Sequence, residues 1–251
     1  MPPITLHMVL ARAAAEAVGE PLFETESGPF ILGSTSPDIR VLTRQDRFST
    51  HFFDLADHEH QDSVHAFLAQ YDRYAAPDRL NESTRAWVCG YIAHLAMDEE
   101  YITGVYRRFF AAHDALGGQL RANVMDRLLQ FELDRRHGDE PGLKQTLCET
   151  LACTVEGIEV AGFIESETLE RWREVSSEIA ARNMDWGRMR AMVSNHLRYA
   201  GLEEGETLGD FLDSLPELLD ATITHVTDAE LDGFVRRSTE VAARAIERYL
   251  A

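Results

Sequence analysis

Two residues four apart near the middle of the chain raise the first chemical question. His94 and Asp98 lie in AWVCGYIAHLAMDEEY, residues 86–101, where positions 86–97 are apolar around the whole circumference of a helix apart from one His and one Tyr. A helix of that kind is buried on every side, and residues four apart share a face. A carboxylate there is costly unless it is paired or bound to a metal. Taken alone, the pair reads as a core histidine hydrogen-bonded to an aspartate one turn away.

Three further residues change the balance. His7 interrupts the apolar side of the first helical segment, Asp38 follows a glycine-bearing loop in FILGSTSPDIR, and His51 stands among aromatic neighbours in RFSTHFFDL. Each has a simpler explanation. Ser36-Pro37-Asp38 could open a helix, with Ser as N-cap, Pro at N1 and Asp favoured by the dipole. An isolated His on an apolar face is commonly a satisfied core imidazole. Those explanations do not predict all five residues together. Imidazole and carboxylate suit a borderline cation such as zinc, and ligands drawn from a loop and a buried helix can leave coordination positions open to water. A bound metal brings the pKa of its water to about 7, which gives a hydroxide nucleophile.

The elements that must position these residues are helical almost throughout. Apolar residues recur at helical spacing from Ile4 to Val18, and Gly19, Glu20 and Pro21 end that helix. An irregular stretch then runs to about Thr50, punctuated by Gly28, Pro29, Gly33 and Pro37. Helices are expected near Ser63 to Ala75, from about Glu82 to Phe110 with Asn81, Ser83 or Thr84 as N-cap, and at Gln119 to His137. Others are expected at Leu143 to Ile164, Ser166 to Asn183, Trp186 to Tyr199, Leu208 to Ala221 and Asp228 to Leu250. No strand alternation and no internal repeat stands out. The expected fold is an all-α multi-helix bundle with essentially no β-sheet. It is expected as a single domain over 1–251, in which 1–110 carries the candidate ligands and 111–251 adds packing helices.

Composition narrows the function. The 251 residues carry 43 acidic and 24 basic side chains, for a net charge of −19. Such a chain repels polyanions, and its scattered Lys and Arg form no basic stripe, so general nucleic-acid binding is excluded. Three cysteines, Cys89, Cys148 and Cys153, offer no disulfide framework, and no segment reads as a secretory signal or a membrane span. A cytoplasmic location is expected. A rival run, DLADHEHQDSVH from Asp54 to His65, offers three histidines but no buried framework, and reads as a solvated face. The C-terminal acids, Glu203 and Glu204 among them, read as solvation, and His196 and His225 as structural.

The order and setting of the five candidates resemble the zinc-dependent phospholipase C and P1/S1-type nuclease superfamily. The matching elements are His7 in ITLHMVLA, Asp38 in LGSTSPDI, His51 in STHFF, and His94 with Asp98 in GYIAHLAMDEEY, over roughly the first 110 residues. The resemblance implies a largely α-helical fold. It also implies that Asp38, His51, His94 and Asp98 hold one zinc ion while His7 helps hold a second that shares the Asp98 carboxylate. Asp38 would in addition orient or deprotonate the nucleophilic water, and the substrate would be a small phosphoester or a lipid headgroup.

The chain departs from the family pattern after Asp98. Members with three metals carry another histidine soon afterwards, then a His and a Glu one helical turn apart; here Glu99, Glu100 and Tyr101 follow, and the next histidine is His113. Asp126 with Gln130, or Glu99, Glu100 or Glu132, are the substitutes at hand. Secreted members also use the amino group of an N-terminal tryptophan, whereas this chain begins Met1-Pro2-Pro3. One to two zinc ions are therefore implied rather than three. Two alternatives to a phosphoester hydrolase stay open: a metal-binding helical protein without catalysis, and a helical interaction protein without metal.

Overall fold

The computed structural model describes residues 2–57, 59–140, 142–183, 185–199 and 206–251. Among these residues every regular element is helical and there is no strand, as expected from the sequence. Helix α1, Ile4–Val18, ends at Gly19, whose left-handed backbone (φ +71°) lets its N–H close on the Ala15 carbonyl.

The stretch to Thr50 is more ordered than its glycines and prolines suggested. It contains α2, Ser27–Gly33, a 3-10 turn at Ser36–Ile39, and single helical turns at Leu22–Thr25, Arg40–Thr43 and Phe48–His51. Pro29 sits in the first turn of α2, where its missing N–H removes no helical bond. Helix α3, Ser63–Gln70, starts on an Asp62 cap that accepts from the His65 N–H. Helix α4, Glu82–Tyr101, is capped by Asn81, which accepts from the Thr84 N–H. It continues into a π-helical turn, Ile102–Tyr106, and then Arg107–Phe109, so the continuous helix expected to Phe110 changes its winding just past Asp98.

Helices α2 and α4 cross without intervening side chains. A Cβ on Gly33 would collide with the Trp87 carbonyl, and one on Gly90 with the Phe30 carbonyl and the Ser34 nitrogen. This crossing brings the loop after α2 against the face of α4 that carries His94.

The C-terminal half begins with α5, Gln119–Gly138, and α6, Leu143–Leu151. The helix expected to run on to Ile164 stops at Leu151, and positive φ at Gly157 and Gly162 turns the chain instead. That turn braces the start of α4: the Gly157 carbonyl accepts from Asn81 and Thr84, and Thr84 Oγ1 accepts from the Glu159 N–H. Then come α7, Ser166–Ala181, and α8, Trp186–Tyr199. One further expected helix is two, α9, Glu206–Asp213, and α10, Leu215–Val226. Pro216 opens the second of these, and its ring cannot continue a helix from upstream. Finally α11, Asp228–Leu250, lies along α4 and α1. Helix α4 runs through the middle of this packing, with Trp87, Tyr91, His94 and Met97 all buried.

Candidate metal centre

The five candidate residues meet at one place. Helix α1 supplies His7, the 3-10 turn supplies Asp38, the Phe48–His51 turn ends on His51, and α4 supplies His94 and Asp98. Phe52, in the left-handed region at φ +55°, turns the backbone immediately after His51. The loop bearing Asp38 is held from both sides. Ser34, Thr35 and Ser36 donate to carbonyls of α2, and Ser36 Oγ accepts from Trp87 on α4 at 3.0 Å. From α7, Trp172 Nε1 donates to both oxygens of Thr35 at 3.1 Å, and the Ser176 and Thr35 hydroxyls lie 3.2 Å apart.

Each imidazole is oriented through Nδ1. His94 donates to the Ser34 carbonyl at 2.8 Å, His7 meets the Pro3 carbonyl at 3.2 Å, and His51 meets the Thr50 hydroxyl at 2.9 Å. This leaves Nε2 of all three rings facing inward. All three Nε2 atoms, together with Asp98 Oδ1, are buried without a hydrogen-bond partner. They converge: His7 Nε2 is 3.3 Å from Asp98 Oδ1, His94 Nε2 is 3.7 Å from Asp98 Oδ2, and His51 Nε2 is 3.5 Å from both Asp98 Oδ2 and Asp38 Oδ1. These separations are in ion-pair range but lack hydrogen-bond alignment. Two groups have ligand atoms within 4.8 Å of one another: His7, His94 and Asp98, and Asp38, His51 and His94.

The charges are strongly coupled. Burial would raise Asp98, yet His94, His7 and Arg47 hold its carboxyl well below the usual range. Asp38 is likewise pulled down against burial, by His51, His94 and His7, to about 2. Burial lowers His51 to about 4 and lowers His7, where His94 adds to the effect. His94 alone is raised, because Asp98 and Asp38 outweigh its burial.

Sequence reasoning missed Arg47, whose Nη2 donates to Asp98 Oδ2 at 2.7 Å while Nη1 reaches the Phe53 carbonyl. The signal in the sequence is a basic residue one helical turn before His51, which a search confined to imidazoles, thiols and carboxylates passes over. Trp172 and Ser176 gave no signal, since their role depends on where α7 packs.

The substitutes at hand for the absent later ligands are used otherwise. Asp126 accepts from Tyr101 at 2.6 Å and from Gln130 at 2.7 Å. Glu100 pairs with Arg237, and Glu132 with Arg135 and Arg136. Glu99 binds His60, the N–H groups of Gln61, Asp62 and Ser63, and the Ser63 hydroxyl. In the His-rich run, His60 thus serves as an anchor and His65 is exposed, while His58 lies outside the described residues. His225 Nε2 donates to the Phe109 carbonyl at 2.8 Å, a structural role. The His196 side chain and the acids Glu203 and Glu204 also lie outside the described residues. A cavity of about 580 Å³ opens on the far side of α4, lined by His65, Glu99, Glu100, Arg244 and Arg248 and by none of the five clustered residues.

Residues 6–98 match the zinc dependent phospholipase C family, a segment that begins just before His7 and ends on Asp98. The match takes in all five clustered residues and covers a little over a third of the chain. No curated protein matches the chain, and no solved structure does. No helix among the described residues is long and apolar enough to cross a membrane.

Proposed function

We propose that the protein is a zinc-dependent hydrolase of a phosphoester, with Asp38, His51, His94 and Asp98 around one ion and His7 with Asp98 around a second. The observation that carries this reading is the convergence of three unpartnered Nε2 atoms and Asp98 Oδ1 in a buried site. Unsatisfied buried polar atoms cost about 1–3 kcal/mol each, so four aimed at one another need a ligand to explain them. Nδ1 contacts to carbonyls and a hydroxyl fix ring orientation, as the outer partners of metal-bound histidines do.

His94 has one free lone pair, because Nδ1 is committed to Ser34, so it can serve only one of the two groups it joins. Asp98 resolves the competition by dividing its oxygens, Oδ1 toward His7 and Oδ2 toward His51 and His94. Zinc, when bound, supplies Lewis acidity that acidifies water and neutralises charge on a phosphoryl oxygen. The chain's own contributions are distinct. Asp38 is the most exposed carboxylate of the cluster, its side chain 16 % accessible against 5 % for Asp98, and stands where water and substrate arrive. A carboxyl held at about 2 is a weak base at neutral pH, which favours Asp38 as the group that orients the attacking water over one that takes its proton. Free cysteines suit a cytoplasmic location.

The test is zinc content by inductively coupled plasma mass spectrometry together with turnover of soluble and lipid phosphoesters, for wild type and His94→Ala. Bound zinc and metal-dependent turnover, both lost in His94→Ala, are expected. Zinc without turnover on any ester would favour a metal-stabilised, non-catalytic protein, a reading supported by the near-complete burial of all three imidazoles. Absence of zinc after loading would end the proposal.

A further inference from the structure

We propose that the cavity between α3, α4 and α11 is a binding site for an amphipathic anion, a carboxylate or phosphate head carried on an apolar chain. The cavity shares no residue with the metal centre, and the proposal stands whether or not the protein is a hydrolase.

Three helices each turn one face to this space. Arg244, Ala245, Arg248 and Tyr249 line it from α11, three or four residues apart and therefore on one side of that helix. From α4 come Ala96, Glu99 and Glu100, at the same spacing and turned away from His94 and Asp98. A face directed at neighbouring helices is ordinarily an apolar stripe that packs closed. Here the small side chains of Ala96 and Ala245 occupy two of the positions, and about 580 Å³ stays open. That is the size of a small-molecule pocket, for which about 300–1,000 Å³ is usual.

The polar groups of the lining are unevenly satisfied. Glu99 is taken up by His60, the Ser63 hydroxyl and the N–H groups of residues 61–63, and Glu100 is paired with Arg237 at 2.7 Å. Asp62 caps α3 through the His65 N–H. The Tyr249 hydroxyl donates to the Tyr74 carbonyl at 2.8 Å, so only its ring is left to serve the cavity. The basic side chains differ. Among the described residues, those of Arg248 and His65 have no hydrogen-bond or ion-pair partner, and Arg244 has only Glu240, 3.7 Å away on its own helix.

The acids of the lining are thus committed and the cations are free, in a chain whose net charge is −19. Arg244 and Arg248 are exposed and one turn apart, an arrangement in which the stems lie along the wall and the guanidiniums stand at the mouth. The planar fork of each matches the oxygens of a carboxylate or a phosphate. Beneath them Val64, Leu68, Val241 and the Tyr249 ring form an apolar wall. A bare anion would leave that wall wet, and an uncharged chain would leave the arginines unused. A ligand with both parts satisfies the two.

The test is isothermal titration calorimetry of decanoate and of decyl phosphate, each below its micelle-forming concentration, into full-length wild type, Arg248→Gln and Ala245→Leu. One saturable equivalent per chain is expected for at least one amphiphile, and the one that binds more tightly names the head group. Arg248→Gln, a change at an exposed and unpaired side chain, should weaken binding roughly fivefold or more through the lost charged hydrogen bonds. Ala245→Leu, which fills part of the cavity, should weaken it as well. Acetate, a head without a chain, and decyltrimethylammonium, a chain with the opposite charge, should bind far more weakly. Affinity should be the same in EDTA-dialysed and zinc-loaded protein. No saturable binding of either amphiphile, unchanged affinity in Arg248→Gln, or equal affinity for decyltrimethylammonium would overturn the site. So would binding seen only in the zinc-loaded form, which would put the anion at the metal centre. Binding retained in a protein that takes up no zinc would leave this site standing and end the hydrolase reading.

Discussion

Asp98 and Glu99 are consecutive, both buried, and carried by the same turn of α4, yet they meet different partners on different faces of it. On one side, Asp98 meets three imidazoles and Arg47, and its Oδ1 has no hydrogen-bond partner. On the other, both Glu99 oxygens are taken up by donors from residues 60–63, which tie the loop ahead of α3 to the helix. Burial and charge are alike, so neither marks a functional carboxylate. What separates them is whether the local donors complete the group or leave an atom aimed at other incomplete atoms. Asp134 on α5 is a useful third case. It is buried with Oδ1 unpartnered, but no imidazole converges on it, and burial raises its carboxyl to about 6.

The largest effect is expected at Asp98. Asp98→Asn should lower zinc affinity by more than about 100-fold in a competition assay with a chelating indicator, beyond the range seen when only an outer partner is removed. An unchanged affinity would break the contrast with Glu99 outright. Metal removal comes next. Zinc at 100 times its Kd stabilises by about 2.7 kcal/mol, which for a chain of this size means roughly 5–10 °C in Tm. Calorimetry with and without EDTA should show that drop in wild type and almost none in Asp98→Asn.

Glu99→Gln should leave zinc stoichiometry intact while costing about 1–3 kcal/mol, since buried N–H donors lose their charged acceptor. Hydrogen exchange should accelerate at the amides of residues 61–63, and a loss of zinc instead would mean that the two faces of α4 are not independent. The smallest effect is expected at Asp134. A carboxyl whose folded pKa is about 6, against an ordinary value of 3.8, binds its proton more tightly when folded, so it stabilises fully below pH 3.8 and loses that contribution as pH rises through 6. Asp134→Asn removes the buried charge and should therefore raise stability at pH 8 by about 1 kcal/mol or more. A steeper loss of stability with rising pH in the variant would contradict that assignment.

Much of this architecture is legible in the sequence. The limits of α1, α8 and α11 follow from spacing and capping chemistry, which are local, and Asn81 is one of the three caps the sequence offered for α4. The His94–Asp98 pairing follows from helical periodicity, and the other three residues stand out because each is out of place in an apolar setting. The short elements between residues 20 and 50 are not legible, since glycine and proline mark helix ends and loops alike and Pro29 happens to fall in a first turn. Nor can the end of α6 be placed, where Gly157 and Gly162 turn a segment with helical spacing into a brace for α4. Arg47 escapes because its meaning lies in what it touches across the fold.

The crossing of α2 and α4 has a consequence for how this protein can vary. In most helix interiors alanine improves on glycine by about 1 kcal/mol. At Gly33 and Gly90 one methyl group would wedge the helices apart, and at Gly90 it would press on the nitrogen of Ser34, the residue whose carbonyl aims His94. The spacing of the centre is thus gauged by two residues that contribute no functional group, and drift at either would misalign the chemistry while every reactive side chain stayed in place.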